Sequence, residues 1–229
     1  LVYANRNVKG DIVTSICDYP KKYLPYGREE VNEIKRLLKQ KSQETNGVRH
    51  DTHSQINWTI DAVTNVAGIT PSSTESDLVR IFGKSNVGPY DISYPDGDDI
   101  KGTRVLPNTE NELLIEWKVS THTPERISVL KPRAAWKTLE GISIGTTLEQ
   151  LEKINGKPFK LTGFGWDYEG RTVSWEGGKV SQQIQLDLDS SITLSEKEEN
   201  QVIGDRYFSS SHPIMKKKKL AVKSLYIRW

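Results

Sequence analysis

The spacing of apolar residues changes several times along the chain, and each change predicts an element. Over 28–43, REEVNEIKRLLKQKSQ, the residues Val31, Ile34, Leu37 and Leu38 form one stripe. Acids lead that segment and bases trail it, so it predicts the longest helix of the chain. Residues 1–26 carry little pattern, and 44–54 is polar and predicts a loop. Residues 56–60 alternate, with Ile56, Trp58 and Ile60 on one face, which predicts a strand. From Gly141 to Val180 the pattern predicts a turn, a short helix, a turn and an aromatic hairpin. Thr146 supplies an N-cap with Glu149 three residues on, Leu148, Leu151 and Ile154 share a face, and Asn155-Gly156 ends the helix. Strands are expected over 163–168, 172–175 and 180–188, with Gly177-Gly178 as a tight turn.

A shift of 73 residues maps much of this stretch onto an upstream echo. Gly141-Ile142-Ser143 falls on Gly68-Ile69-Thr70, Leu151 on Leu78, Ile154 on Ile81, and Gly156-Lys157 on Gly83-Lys84. Ser72 with Glu75 gives a second capping pair, one residue out of register. Leu113-Leu114-Ile115-Glu116-Trp117 answers 184–188 at a slightly different offset. The expectation is one small module used twice. Further strands are expected over 90–94, 103–106, 112–119, 127–130 and 206–208, with 131–140 as a connector and 189–199 as an acidic loop or short helix. The closing strand, 220–229, places Leu225, Ile227 and Trp229 on one face and should dock in the sheet. The fold class is therefore α+β: two tandem units of short helix on antiparallel sheet (67–131 and 141–229), preceded by an N-terminal helical segment and strand (1–66).

The glycine-started short helix followed by a strand meander resembles the β-lactamase-inhibitor-protein-like fold. It is also similar to the small lipoproteins of the bacterial outer-membrane assembly machinery. NGKPF and GFGWDY within 155–168 look like a family of uncharacterised secreted or lipid-anchored bacterial proteins. The resemblance covers about residues 66–229 and implies an extracytoplasmic location in a bacterium, whether periplasmic, outer-membrane-anchored or secreted. Inhibitor proteins of this type carry disulfides within their repeats. This chain has one cysteine, Cys17, so no inhibitory residue carries over.

Composition bounds the chemistry. With 32 Lys and Arg against 30 Asp and Glu, the net charge of +2 gives no footprint for nucleic acid. No apolar run approaches the ~20 residues of a membrane span. Cys17 has no partner for an internal disulfide and no apolar stretch before it. The chain begins at Leu1, which suggests an upstream segment removed by a signal peptidase or by design of the expressed form.

Several motifs touch chemistry. Gly83-Lys84-Ser85 follows a helix and lacks the first glycine of a phosphate loop. His50-Asp51-Thr52-His53 reads as a polar loop without a third metal ligand, and Asp96, Asp98 and Asp99 as a hairpin turn without a calcium-loop pattern. Lys216–Lys219 could meet anionic lipid but reads better as a solvated loop guarding an edge. No catalytic residue, metal site or cofactor is assigned. The aromatic set Trp166, Tyr168 and Trp175, with Trp117 and Trp136, offers either core or a recognition surface. The functional expectation is a non-enzymatic protein that binds another protein or a cell-envelope component through Trp166, Tyr168 and Trp175. Alternatives are a hydrolase using carboxylates such as Asp167 and Glu169, or a scaffolding envelope lipoprotein.

Overall fold

Two helices of equal length are started by the same local device. In α1 (Glu75–Phe82) the Thr74 hydroxyl accepts from the Asp77 amide, and the Asp77 carboxylate accepts from the Thr74 amide. In α2 (Leu148–Asn155) Thr147 and Gln150 make the same reciprocal pair. The caps thus lie one or two residues after the expected Ser72 and Thr146, and they keep the 73-residue shift in register. The hydroxyls of Ser73 and Thr146 are already engaged: they accept from the amides of Thr70 and Ser143, at 2.9 Å each, and close the preceding turns. Gly68 and Gly141 open those turns with φ of +94° in both, a conformation that favours glycine. Leu78 and Leu151 are fully buried at matching positions.

The computed structural model describes residues 5–6, 12–13, 56–93, 99–165, 167–204 and 206–229. The chain is α+β and divides into two units, Leu1–Gln55 and Ile56–Trp229. In the first, β1 (Asn5–Arg6) pairs antiparallel with β2 (Ile12–Val13). The helix expected over 28–43, Cys17 and the His50–His53 motif lie outside the described residues.

The second unit is built on a six-stranded antiparallel sheet. Its first four strands form a meander: β5 (Val87–Ser93), β6 (Asp99–Val105), β7 (Leu113–Trp117) and β8 (Pro124–Val129). A parallel strand pair, β3 (Thr59–Asp61) with β9 (Lys137–Thr138), lies beside the β3–β4 hairpin, where β4 is Asn65–Val66. β9 falls inside the expected connector. The later half contributes β10 (Lys160–Thr162), β11 (Thr172–Ser174), β12 (Ile184–Ser190), α3 (Glu196–Glu199), β13 (Tyr207–Ser209), α4 (Pro213–Lys217) and β14 (Leu220–Arg228). The sheet order is β12-β14-β8-β7-β6-β5, so the closing strand lies inside the sheet, between β12 and β8.

The seam between β14 and β8 joins the two halves. Leu225 faces Val129 and Ile227 faces Ile127, while on the other side Leu225 faces Leu186 and Ile227 faces Ile184. All of these are buried, as are Leu113 and Ile115 on β7. β7 and β12 flank the seam symmetrically. Trp229 donates from Nε1 to the Ala62 carbonyl at 2.7 Å and so pins the β3–β4 hairpin to the end of the closing strand.

The later half departs from a plain meander. β11, β10 and β13 form their own three-stranded sheet, linked to β12 by an isolated bridge between Arg171 and Asp187. The strand expected over 163–168 is instead a loop, because Gly165 and Tyr168 both take positive φ and break the extended run. The turn at Trp175–Gly178 has positive φ at Glu176 and Gly177, a type I′ geometry. Asn155, at the end of α2, holds that turn: its Nδ2 donates to the carbonyls of Lys157 and Trp175, at 2.9 and 3.0 Å.

Two substitutions should separate the local from the tertiary contribution. A Cβ on Gly178 would collide with the Asn155 side-chain amide, so Gly178→Ala should cost about 2–3 kcal/mol in urea denaturation. Thr147→Ala removes a cap only and should cost about 1 kcal/mol.

Candidate functional site

Tyr168 sits where the turn after β10 approaches β12 and β14. Its backbone is left-handed, with φ of +65°, unusual for a bulky aromatic residue. The conformation is held by a clamp on its carbonyl. Thr162 Oγ1 donates to that oxygen at 2.6 Å, the Arg171 amide reaches it at 3.3 Å, and the Arg171 amide also reaches Thr162 Oγ1 at 2.9 Å. Gly170 lets the turn close against β12: the Leu188 amide donates to its carbonyl at 3.0 Å, and a Cβ there would collide with the Leu188 carbonyl. The side chain of Tyr168 is 55% exposed.

A chain of charged and aromatic groups runs from this turn across the sheet face away from the core. The Arg171 guanidinium lies 4.4 Å from the centre of the Tyr168 ring. It also grips Asp187 through two hydrogen bonds of 2.6 and 2.8 Å. Tyr226 donates to the same carboxylate at 2.8 Å, and both Arg171 and Arg126 lie 5.4 Å from its ring centre. Arg126 in turn donates from Nε to Glu116 at 2.6 Å. Burial and then the Asp187 charge push the Tyr226 hydroxyl above the usual tyrosine range. Burial opposes the Arg171 cation, but Asp187 outweighs it and the net direction is up. Leu130, Tyr168, Glu169, Asp187, Asp189, Lys223 and Tyr226 are among the walls of a cleft of about 420 Å³ beside this ladder.

The three expected site residues separate. Tyr168 is at the surface, and Trp166 lies outside the described residues. Trp175 is a correction: it is only 2% exposed and belongs to the core. Its ring packs on Phe159 at 4.9 Å between centres, and its Nε1 donates to the Ile184 carbonyl at 2.8 Å. With both its face and its polar edge satisfied internally, it has nothing to offer a partner. Trp136 is likewise buried, edge-on to Trp58 and donating to the Asn111 carbonyl. Trp117 is partly buried and donates to Thr103. No motif in the sequence singles out Asp187, Arg171 or Tyr226. The alternation of β12 and β14 marks Asp187 and Tyr226 as facing away from the core, but nothing local pairs them with Arg171.

Comparison with family models, with curated proteins and with solved structures returned no match. The chemistry must therefore be read from the residues themselves. Asp167 and Glu169 are both exposed, and Glu169 accepts from the Gly165 amide at 3.1 Å, which uses one carboxylate oxygen to tie the loop. Among the described residues, no group of three His, Cys, Asp or Glu is placed to hold a metal ion, and no helix is long and apolar enough to cross a membrane. Gly83-Lys84-Ser85 caps α1 and leads through a 3-10 turn into β5.

The lysine run is also a correction to the solvated-loop expectation. Lys216 lies 3.6 Å from Glu152, Lys217 pairs with Glu198, and Lys218 pairs with Glu199 at 2.6 Å. Lys218 is buried, with its ammonium 4.5 Å from the Phe164 ring centre. Three of the four charges thus strap α3 and α2 to α4. The Lys217 ammonium and the Ser195 hydroxyl hold the Glu198 carboxyl at about 2, against an ordinary 4.5. A depressed carboxylate contributes stability that is complete above its unfolded value and lost as pH falls through the folded one. The α3 segment should therefore loosen as pH falls from 4.5 to about 2. Amide protection factors over 196–202, corrected for intrinsic exchange, should drop in that window, and Lys217→Met should flatten the dependence.

Proposed function

We propose that the chain is a non-enzymatic extracytoplasmic protein that binds another protein or a cell-envelope component, with Tyr168 at the centre of its contact surface. One observation carries this reading: a large aromatic side chain is presented to solvent from a left-handed backbone that glycine or asparagine would adopt at lower cost. A strained, solvent-facing aromatic contributes little to folding, whereas tyrosine is effective at protein interfaces because it covers much area for little lost entropy. Its neighbours suit that role. The Arg171 guanidinium steadies the ring, Leu130 is 40% exposed nearby in the cleft, and the cleft is concave enough to seat a protruding side chain.

The hydrolase reading draws less support. Asp187 is bound by Arg171 and Tyr226, one Glu169 oxygen accepts from the Gly165 amide, and Asp189 lies 3.4 Å from Lys223, so each carboxylate beside the cleft has a partner within the fold. The extracytoplasmic location rests on the resemblance of NGKPF and GFGWDY to secreted and lipid-anchored bacterial proteins. The tandem-module reading is supported by the shared caps, buried leucines and turn glycines of α1 and α2.

Tyr168→Asn separates folding from function. Asparagine tolerates the left-handed backbone, so urea denaturation should place the variant within about 1 kcal/mol of the parent protein. A pull-down from bacterial envelope extract should retain a partner on the parent protein and lose it on the variant. Equal retention by both, or none by either, would overturn the proposal.

A further inference from the structure

Resting on that reading, we infer that the cleft beside Tyr168 receives a basic side chain of the partner, an arginine or lysine on an extended segment. The charges lining the cleft point this way. Glu169, Asp187 and Asp189 contribute three carboxylates against one ammonium, Lys223. Arg171 neutralises Asp187 through its two hydrogen bonds, which leaves the charges of Glu169 and Asp189 against that of Lys223; one Glu169 oxygen accepts from the Gly165 amide, a neutral donor that leaves its charge in place, and Asp189 is paired with Lys223. That last pairing is loose: Lys223 and Asp189 are 3.4 Å apart with side chains 60% and 53% exposed, a contact that water and salt readily replace. A guanidinium can take it over with two parallel hydrogen bonds where the lysine holds a single ion pair.

The aromatic walls add a second attraction of the same sign. Tyr168 and Tyr226 both line the cleft, and each already has an arginine against its ring within the fold. Ring faces attract cations through their quadrupole, and Tyr168 remains 55% exposed with Arg171 in place. Leu130, 40% exposed, supplies apolar surface for the methylene stem of the incoming side chain. A volume of about 420 Å³ suits one long side chain with its flanking backbone, not a folded element. An acidic side chain would meet two carboxylates with only Lys223 to offset them.

The test uses the full chain and three probe peptides, acetyl-Gly-Arg-Gly-amide and its Glu and norleucine counterparts. Backbone amide shifts of Tyr168, Asp189 and Lys223 are followed by NMR. The arginine peptide should saturate these shifts with a dissociation constant on the order of 1 mM, weakening about three- to tenfold between about 0.05 and 0.5 M salt. The Glu169→Gln, Asp189→Asn double variant should bind it about tenfold more weakly, while the Glu peptide shifts nothing. Equal shifts from the Glu or norleucine peptide, or arginine binding unchanged in the double variant, would sink the inference, as would no shift at all. If Tyr168→Asn loses the envelope partner but the double variant keeps it, the basic-side-chain inference fails and the binding function stands.

Discussion

The register between β8 and β14 is the constraint on which the rest of the second unit depends. These strands are about a hundred residues apart in the chain, yet Val129 meets Leu225 and Ile127 meets Ile227 in one buried stripe that continues onto β7 and β12. A slip of one residue would turn every one of these side chains to the other face. The same slip would turn Leu225 and Ile227 out of the core and Tyr226 into it. The hydrophobic demand on the core face therefore also sets what appears on the opposite face.

What appears there is the ladder from Glu116 through Arg126, Tyr226 and Arg171 to Tyr168. Its members come from β7, β8, β14 and the turn before β11, so it exists only when both halves are joined. Charged groups with little solvent need partners, and here each arginine finds a carboxylate as well as a ring. The arrangement makes a rigid floor for an exposed tyrosine. Side chains held in advance lose less entropy on binding.

The turn at Tyr168 shows how tertiary contacts can hold an unfavourable backbone. Thr162 Oγ1 sits between the Tyr168 carbonyl and the Arg171 amide, and Gly170 allows the approach to Leu188. The lysines before β14 follow a related logic at the other end of that strand. A run of like charges repels itself, and it is tolerated because three of the four face acids on α2 and α3. Lys218 goes further and is buried against Phe164 as well as paired with Glu199.

Short-range features of this protein were legible in its residues. The two helices, their buried leucines, the turn glycines at Gly68 and Gly141, and the alternating strands 184–188 and 220–229 all follow from periods and turn chemistry that act over a few residues. The caps fall one or two positions after the expected ones because several hydroxyls compete within each turn, and only the geometry says which one closes the turn and which one caps. Long-range choices were not legible. Alternation says that one face of a strand is buried but not which, so Trp175 and Tyr168 looked alike in sequence. Packing on Phe159 sent the first into the core, and a clamped left-handed turn sent the second to the surface. The pairing of Arg171 with Asp187, and of β8 with β14, was decided by the tertiary structure alone, because hydrogen bonds and charge pairs between distant segments leave no periodic trace in the chain.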